Sequence, residues 1–165
     1  MSRSDYLEDC DDTWSAIRWA GAVKSAINGK RGQDFLKELI ERLDDMPKKE
    51  LIGDSLVTVE GQYCALGVVG SARGIDLTKI DPDDFDQVAK QFGIAPAMAR
   101  EIVYENDEQV DDYDWVTVTI CGPLRSPYER HTQSVRVQVD NVPKLRWKHM
   151  RNWAQTNLKK EIKHG

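Results

Sequence analysis

The sequence predicts a mainly α fold (α+β in composition): a single domain of about six helices with one inserted antiparallel β-hairpin. Three observations carry that prediction. Apolar residues recur at helical spacing through residues 12–110 and again through 142–162. Between them, over about 111–141, the period changes to two. Finally, 165 residues without internal repeat or low-complexity linker suit one core closed by one chain, 1–165.

In chain order, "DDTWSAIRWAGAVKSAING" reads as the first helix, with Ala16, Trp19, Ala20, Val23 and Ile27 as its stripe, Asp12 or Thr13 as its cap and Asn28-Gly29 as its stop. "GKRG" (29–32) reads as a tight basic connection. "QDFLKELIERLDDMP" is the second helix, its stripe Phe35, Leu36, Leu39, Ile40 and Leu43, its end marked by Pro47. The short link predicts a helical hairpin. "LIGDSLVTVEGQ" is irregular, with a short extended piece at 56–59. "GQYCALGVVGSARG" (61–74) is apolar nearly all round, which predicts a buried helix, with small residues for close approach and Gly74 at its C-terminal cap.

"DPDDFDQVAKQFG" carries the clearest helix signal. Asp81 is its expected N-cap, Pro82 its first position, and Phe85, Val88, Ala89 and Phe92 its stripe, with Gly93 closing it. "APAMAREIVYENDE" follows, opened by Pro96, with Met98, Ala99, Ile102 and Val103 facing inward. Two alternating runs, 115–121 and 134–140, then predict strands joined by a long basic tip. "VPKLRWKHMRNWAQTNLKKEI" returns to helix, with Trp147, Met150, Ala154 and Leu158 on one side and Lys144, Lys148, Arg151, Lys159 and Lys163 over the rest.

The formal net charge is −5, unevenly spread: residues 1–121 hold 13 Lys and Arg against 25 Asp and Glu, and residues 122–165 hold 10 against 3. Such asymmetry marks either an interaction surface or two halves that folding mixes. No apolar run approaches the roughly 20 residues of a membrane span, and the polar start, "MSRSDYLEDCDD", is no secretory signal. Cys10, Cys64 and Cys121 form no CxxC pair and are odd in number, which points to a reducing cytoplasm.

The motifs of catalysis are missing. Residues 61–74 lack the Lys and hydroxyl of a phosphate loop, and Gly67 and Gly70 make only GxxG. Cys64 sits among apolar neighbours, a setting for a quiet core thiol rather than a nucleophile. His131, His149 and His164 have no zinc spacing, and "DPDDFD" lacks the glycine and distal Glu of a calcium loop. No cofactor, no metal and no catalytic residue is therefore expected. Ala89, Gly93, Ile94 and Ile102 have helix-turn-helix spacing, but Glu101, Glu105 and Asp107 oppose Arg100 and would repel phosphates.

The candidate partner-binding residues lie in and beside the hairpin. Arg125, Arg130, His131 and Arg136, interleaved with Tyr128, suit a phosphate backbone or an acidic protein; Asp111, Asp112 and Asp114 suit a basic groove.

"YCALGVVGSARGIDL", "FGIAPAMAREIVYENDE", "RWKHMRNWAQ" and "RWAGAVKSAINGKRGQDFLKELIERLDDMP" are similar to blocks in a family of small uncharacterised proteins encoded by tailed phages and prophages. The likeness covers roughly 14–110 and 142–160 and departs at 111–141. The likeness carries over no established activity and no site residues; taken with the missing catalytic constellation and the inserted hairpin, it leads to the expectation of a phage-encoded accessory protein in the cytoplasm of a bacterial host that inhibits a host protein, such as a component of host defence, by binding it. The alternative is a nucleic-acid-binding accessory protein using the basic hairpin and last helix; a small enzyme with an unrecognised carboxylate site is a third reading.

Overall fold

Segment 61–74, the most apolar helix signal in the chain, forms a short helix at the centre of the helical part. The computed structural model describes residues 13–120 and 132–159. The chain divides into two compact units, Met1–Val110 with Pro143–Gly165 and Asp111–Val142. Six α-helices are present among the described residues: α1 (Thr13–Asn28), α2 (Lys30–Asp45), α3 (Ala65–Ala72), α4 (Phe85–Phe92), α5 (Pro96–Asp107) and α6 (Val142–Asn157), with one 3-10 turn at Leu77–Lys79. A two-stranded antiparallel sheet, β1 (Tyr113–Thr119) and β2 (Thr132–Gln138), lies between α5 and α6 in the chain.

The core of the helical unit is built from the expected stripes. Leu36, Leu39 and Leu43 of α2 are fully buried, with Val69 of α3, Val88 of α4, Met98 and Ile102 of α5 and Met150 of α6. Phe35 and Phe92 meet edge to face at 6.4 Å between ring centroids, a preferred aromatic geometry. Such side chains each contribute about 1.5–3 kcal/mol by leaving water.

α3 shows why the glycines of the 61–74 stretch are there. A Cβ on Gly67 would lie 1.9 Å from the Leu56 carbonyl oxygen, and one on Gly70 would press on Leu77 and Phe92. Cys64 precedes the helix instead of lying within it. It is the N-cap, and its Sγ accepts from the Gly67 N–H at 3.4 Å. Burial pushes the thiol up to about 12, so the thiolate needed of a nucleophile is not formed near neutral pH. Arg73, closing the same helix, donates to both carboxylate oxygens of Glu38 and to the Phe92 carbonyl at 2.8 Å. Its guanidinium thereby joins α2, α3 and α4, and its hydrogen bonds hold the Glu38 carboxyl below its usual range.

Several boundaries differ from expectation. "GKRG" is not a loop: α2 begins at Lys30, and Gly29 alone separates it from α1. Gly32 is buried against the end of α1, and a Cβ there would lie 2.1 Å from the Ala26 carbonyl oxygen. The corner therefore needs a glycine for space, and no loop is required. The N-cap of α4 is Asp84, which accepts from the Gln87 N–H at 3.0 Å, and Asp81 caps the turn before it by accepting from the Asp83 N–H. Gly93 ends α4 at φ 69°, the left-handed cap that glycine takes without strain. On α1 only Ile27 is buried and Ala20 is exposed, as are Trp14 and Ile17. The first helix meets the rest through α2 and α5 and leaves much of its apolar surface outside.

Glu101 and Glu105 were expected on an outer acidic face; both are buried. Glu105 Oε2 lies 2.7 Å from His149 Nε2 on α6. Every residue from 97 to 107 is buried or partly buried, so α5 has no free face to lay in a DNA groove. Asn106 makes the tightest junction. Its Oδ1 accepts from the Ala65 N–H at 3.1 Å, and its Nδ2 donates to the Ile52 carbonyl at 2.8 Å and to Asp107. One buried amide thus accepts from a first-turn N–H of α3 and donates to the irregular 51–56 segment.

Candidate partner-binding surface

Strand alternation sorts the hairpin into two unlike faces. The register pairs Tyr113 with Gln138, Trp115 with Arg136, Val116 with Val135 and Thr119 with Thr132. Opposed residues share a face and neighbours along a strand do not. One face therefore carries Val116, Val118, Val135 and Val137, with Asp114 at one end. The other carries Tyr113, Trp115 and Arg136 among Thr117 and Ser134. All seven residues of each strand are exposed, Trp115 to 68%.

The polar face has its own structure. The Arg136 guanidinium lies 3.7 Å from the centroid of the Tyr113 ring, a diagonal cation–π contact two residues along β1 from its cross-strand partner Trp115. On the other face, Asp114 turns its carboxylate back on the chain, accepting from the Trp115 N–H at 2.8 Å.

Of the expected contact residues, Arg136, Asp111, Asp112 and Asp114 are described and all four are exposed. Arg136 and Asp114 fall on opposite faces, because Arg136 opposes Trp115 and Asp114 opposes Val137. Arg125, Tyr128, Arg130 and His131 lie outside the described residues. The four-valine face lies outside the expected contact residues. Its signal was available in the parity of "VTV" in β1 and "VRV" in β2.

The basic C-terminal helix offers less free charge than its sequence suggests. Arg151 donates to both carboxylate oxygens of Asp44, at 2.7 and 2.9 Å, and those bonds hold the Asp44 carboxyl below its usual range. Arg146 donates from Nε to the Asn106 carbonyl at 2.7 Å and from Nη1 to that of Leu51 at 3.3 Å. Lys159 Nζ reaches the Asn28 carbonyl at 2.8 Å. Lys144 and Lys148 are exposed.

Among the described residues, no group of three His, Cys, Asp or Glu side chains is placed to hold a metal ion, and no helix is long and apolar enough to cross a membrane. Comparison with protein families, curated proteins and solved structures finds no match to this chain.

Proposed function

We propose that this chain is a binding protein that acts by occupying a partner protein, with the hairpin unit as the contact surface. The observation that supports this reading is the exposed valine face of β1 and β2. A two-stranded hairpin is marginal in water by itself, and apolar side chains grouped on one exposed face gain most from a partner that covers them. Neither strand carries the Pro or Lys that blunts a free edge. A stable complex buries about 800 Å² on each side, more than four half-exposed valines can offer. The partner must therefore also engage Trp115, the Tyr113–Arg136 pair and a strand edge, as a cleft that receives the hairpin would do. Tryptophan, tyrosine and arginine are the residues that most often dominate such contacts. Taken with the resemblance to phage and prophage proteins, the partner we propose is a protein of a bacterial host, in its defence apparatus.

Nucleic-acid binding is the competing reading, and the engagement of Arg146, Arg151 and Lys159 within the helical unit weakens it. Two measurements separate the readings. A photo-crosslinking residue placed at Thr117 or Val118, in a bacterial host, should trap one polypeptide. Changing Val116, Val118, Val135 and Val137 to Thr should abolish the adduct formed from Thr117 while leaving the thermal transition in place. A mobility shift with random duplex or single strand at about 50 and about 200 mM salt should show no binding. Phosphate-driven affinity would fall by orders of magnitude across that range. Tight, salt-sensitive binding in place of a discrete protein adduct would overturn the proposal.

A further inference from the structure

The helical unit contains a pocket of about 440 Å³ that the hairpin reading does not use. It opens between the end of α2, the segment that follows it, and α3. Met46, Leu51, Ile52 and Val68 form its apolar walls, and its volume is that of a small-molecule site.

Three side chains on its lining, Arg42, Tyr63 and Ser71, carry donor groups with no hydrogen-bond partner among the described residues. Arg42 Nε has no hydrogen-bond partner and is itself closed off from solvent, while the Arg42 side chain as a whole is 41% exposed at the pocket. The guanidinium's contact with Asp45 is long, 3.8 Å, and Asp45 is 75% exposed. The hydroxyls of Tyr63 and Ser71, which line the same pocket, make no hydrogen bond with a described residue. The acidic groups nearby limit what those donors can hold. Glu50 is already taken by Lys48 at 2.8 Å, and Asp45 stands beside Arg42. A second negative charge on a ligand would meet both carboxylates.

We propose that this pocket binds a small molecule with an apolar body and a single carboxylate head. The body replaces water along Met46, Leu51, Ile52 and Val68, where burial of apolar surface drives binding. The head meets the Arg42 guanidinium, whose planar fork matches a carboxylate, with the Tyr63 and Ser71 hydroxyls as further donors. Sugars and nucleotides would leave too many polar groups against apolar walls. The site lies wholly in the helical unit, so it stands or falls independently of the hairpin.

Calorimetric titration with dodecanoate, below its micelle concentration, tests the proposal. One dodecanoate should bind per chain, saturably, and dodecyltrimethylammonium, with the same chain and the opposite charge, should not. Arg42→Met keeps the stem and removes the charge, and should weaken dodecanoate binding about tenfold or more, the usual worth of a hydrogen bond to a charged group. Ala72→Trp places an indole at the exposed mouth and should block the site, while its melting curve reports that the fold is kept. Absence of saturable binding to the unaltered protein would overturn the proposal. So would equal binding of the cationic amphiphile, or dodecanoate binding that neither variant changes.

Discussion

Asn106 and Asp107 are adjacent and respond to burial in opposite ways. The amide is neutral and spends its donors and acceptor on Ala65, Ile52 and Asp107. The carboxyl is raised above its usual range, chiefly because burial disfavours its charged form; the bonds from Asn106 and the Asp54 N–H, and the Arg146 charge, offset this only in part. The native state therefore holds the Asp107 proton more tightly than the unfolded chain does. The stabilisation from this group is full below the unfolded carboxyl value of about 4 and is lost as pH rises through the folded value. At pH 7 the buried charge is a net cost. Asp107→Asn keeps the shape and an acceptor oxygen, so its melting temperature should exceed the parent's at pH 7, with the difference shrinking towards pH 3. A variant less stable than the parent at pH 7 would show that charged hydrogen bonding outweighs desolvation there.

Gly21 and Gly67 both sit within helices, and their surroundings give them opposite predicted responses. Nothing lies within 4 Å of a Cβ built on Gly21 of α1, whereas one on Gly67 of α3 strikes the Leu56 backbone at 1.9 Å. Gly21→Ala should stabilise the protein by about 0.5–1 kcal/mol, the usual helix-propensity difference between the two residues. Gly67→Ala should destabilise it by about 2 kcal/mol or more, because a carbonyl and a helix must separate. Paired thermal melts decide the matter, and equal effects would mean that α3 does not approach the 51–56 segment as described. Both glycines read alike in sequence. The clash at Gly67 depends on a residue eleven positions away, which no local pattern reports.

The two compact units make the hairpin separable in a concrete sense. Tyr113 and Gln138 are cross-strand partners, and the Val139 N–H donates to the Asp112 carbonyl at 2.9 Å. The ends of the segment 113–140 are therefore neighbours, and a short Gly/Ser link can close the gap without straining either side. No strand residue is buried, so excision removes little from the core. The shortened protein should keep one cooperative thermal transition. A molten product would mean that the helical core needs the strands. The same variant should lose the cross-linked partner and retain dodecanoate binding, which separates the two proposed surfaces in a single molecule.

The mainly α fold, the hairpin and most core residues were legible because each depends on a local period. The Leu36–Leu39–Leu43 stripe and the valine alternation are written within a few turns or pleats. Boundaries at Lys30 and Phe85 were displaced because several residues nearby could cap or start a helix, and only packing chooses among them: Gly32 against Ala26, and Asp84 onto Gln87. The fates of the charges were not legible at all. Glu101, Glu105, Arg146 and Arg151 look like surface residues in one dimension, yet two are buried and two are bonded across the helical unit. A long polar side chain is placed by whichever distant carbonyl or carboxylate the fold brings within hydrogen-bond reach, and that distance exists only once the chain has closed on itself.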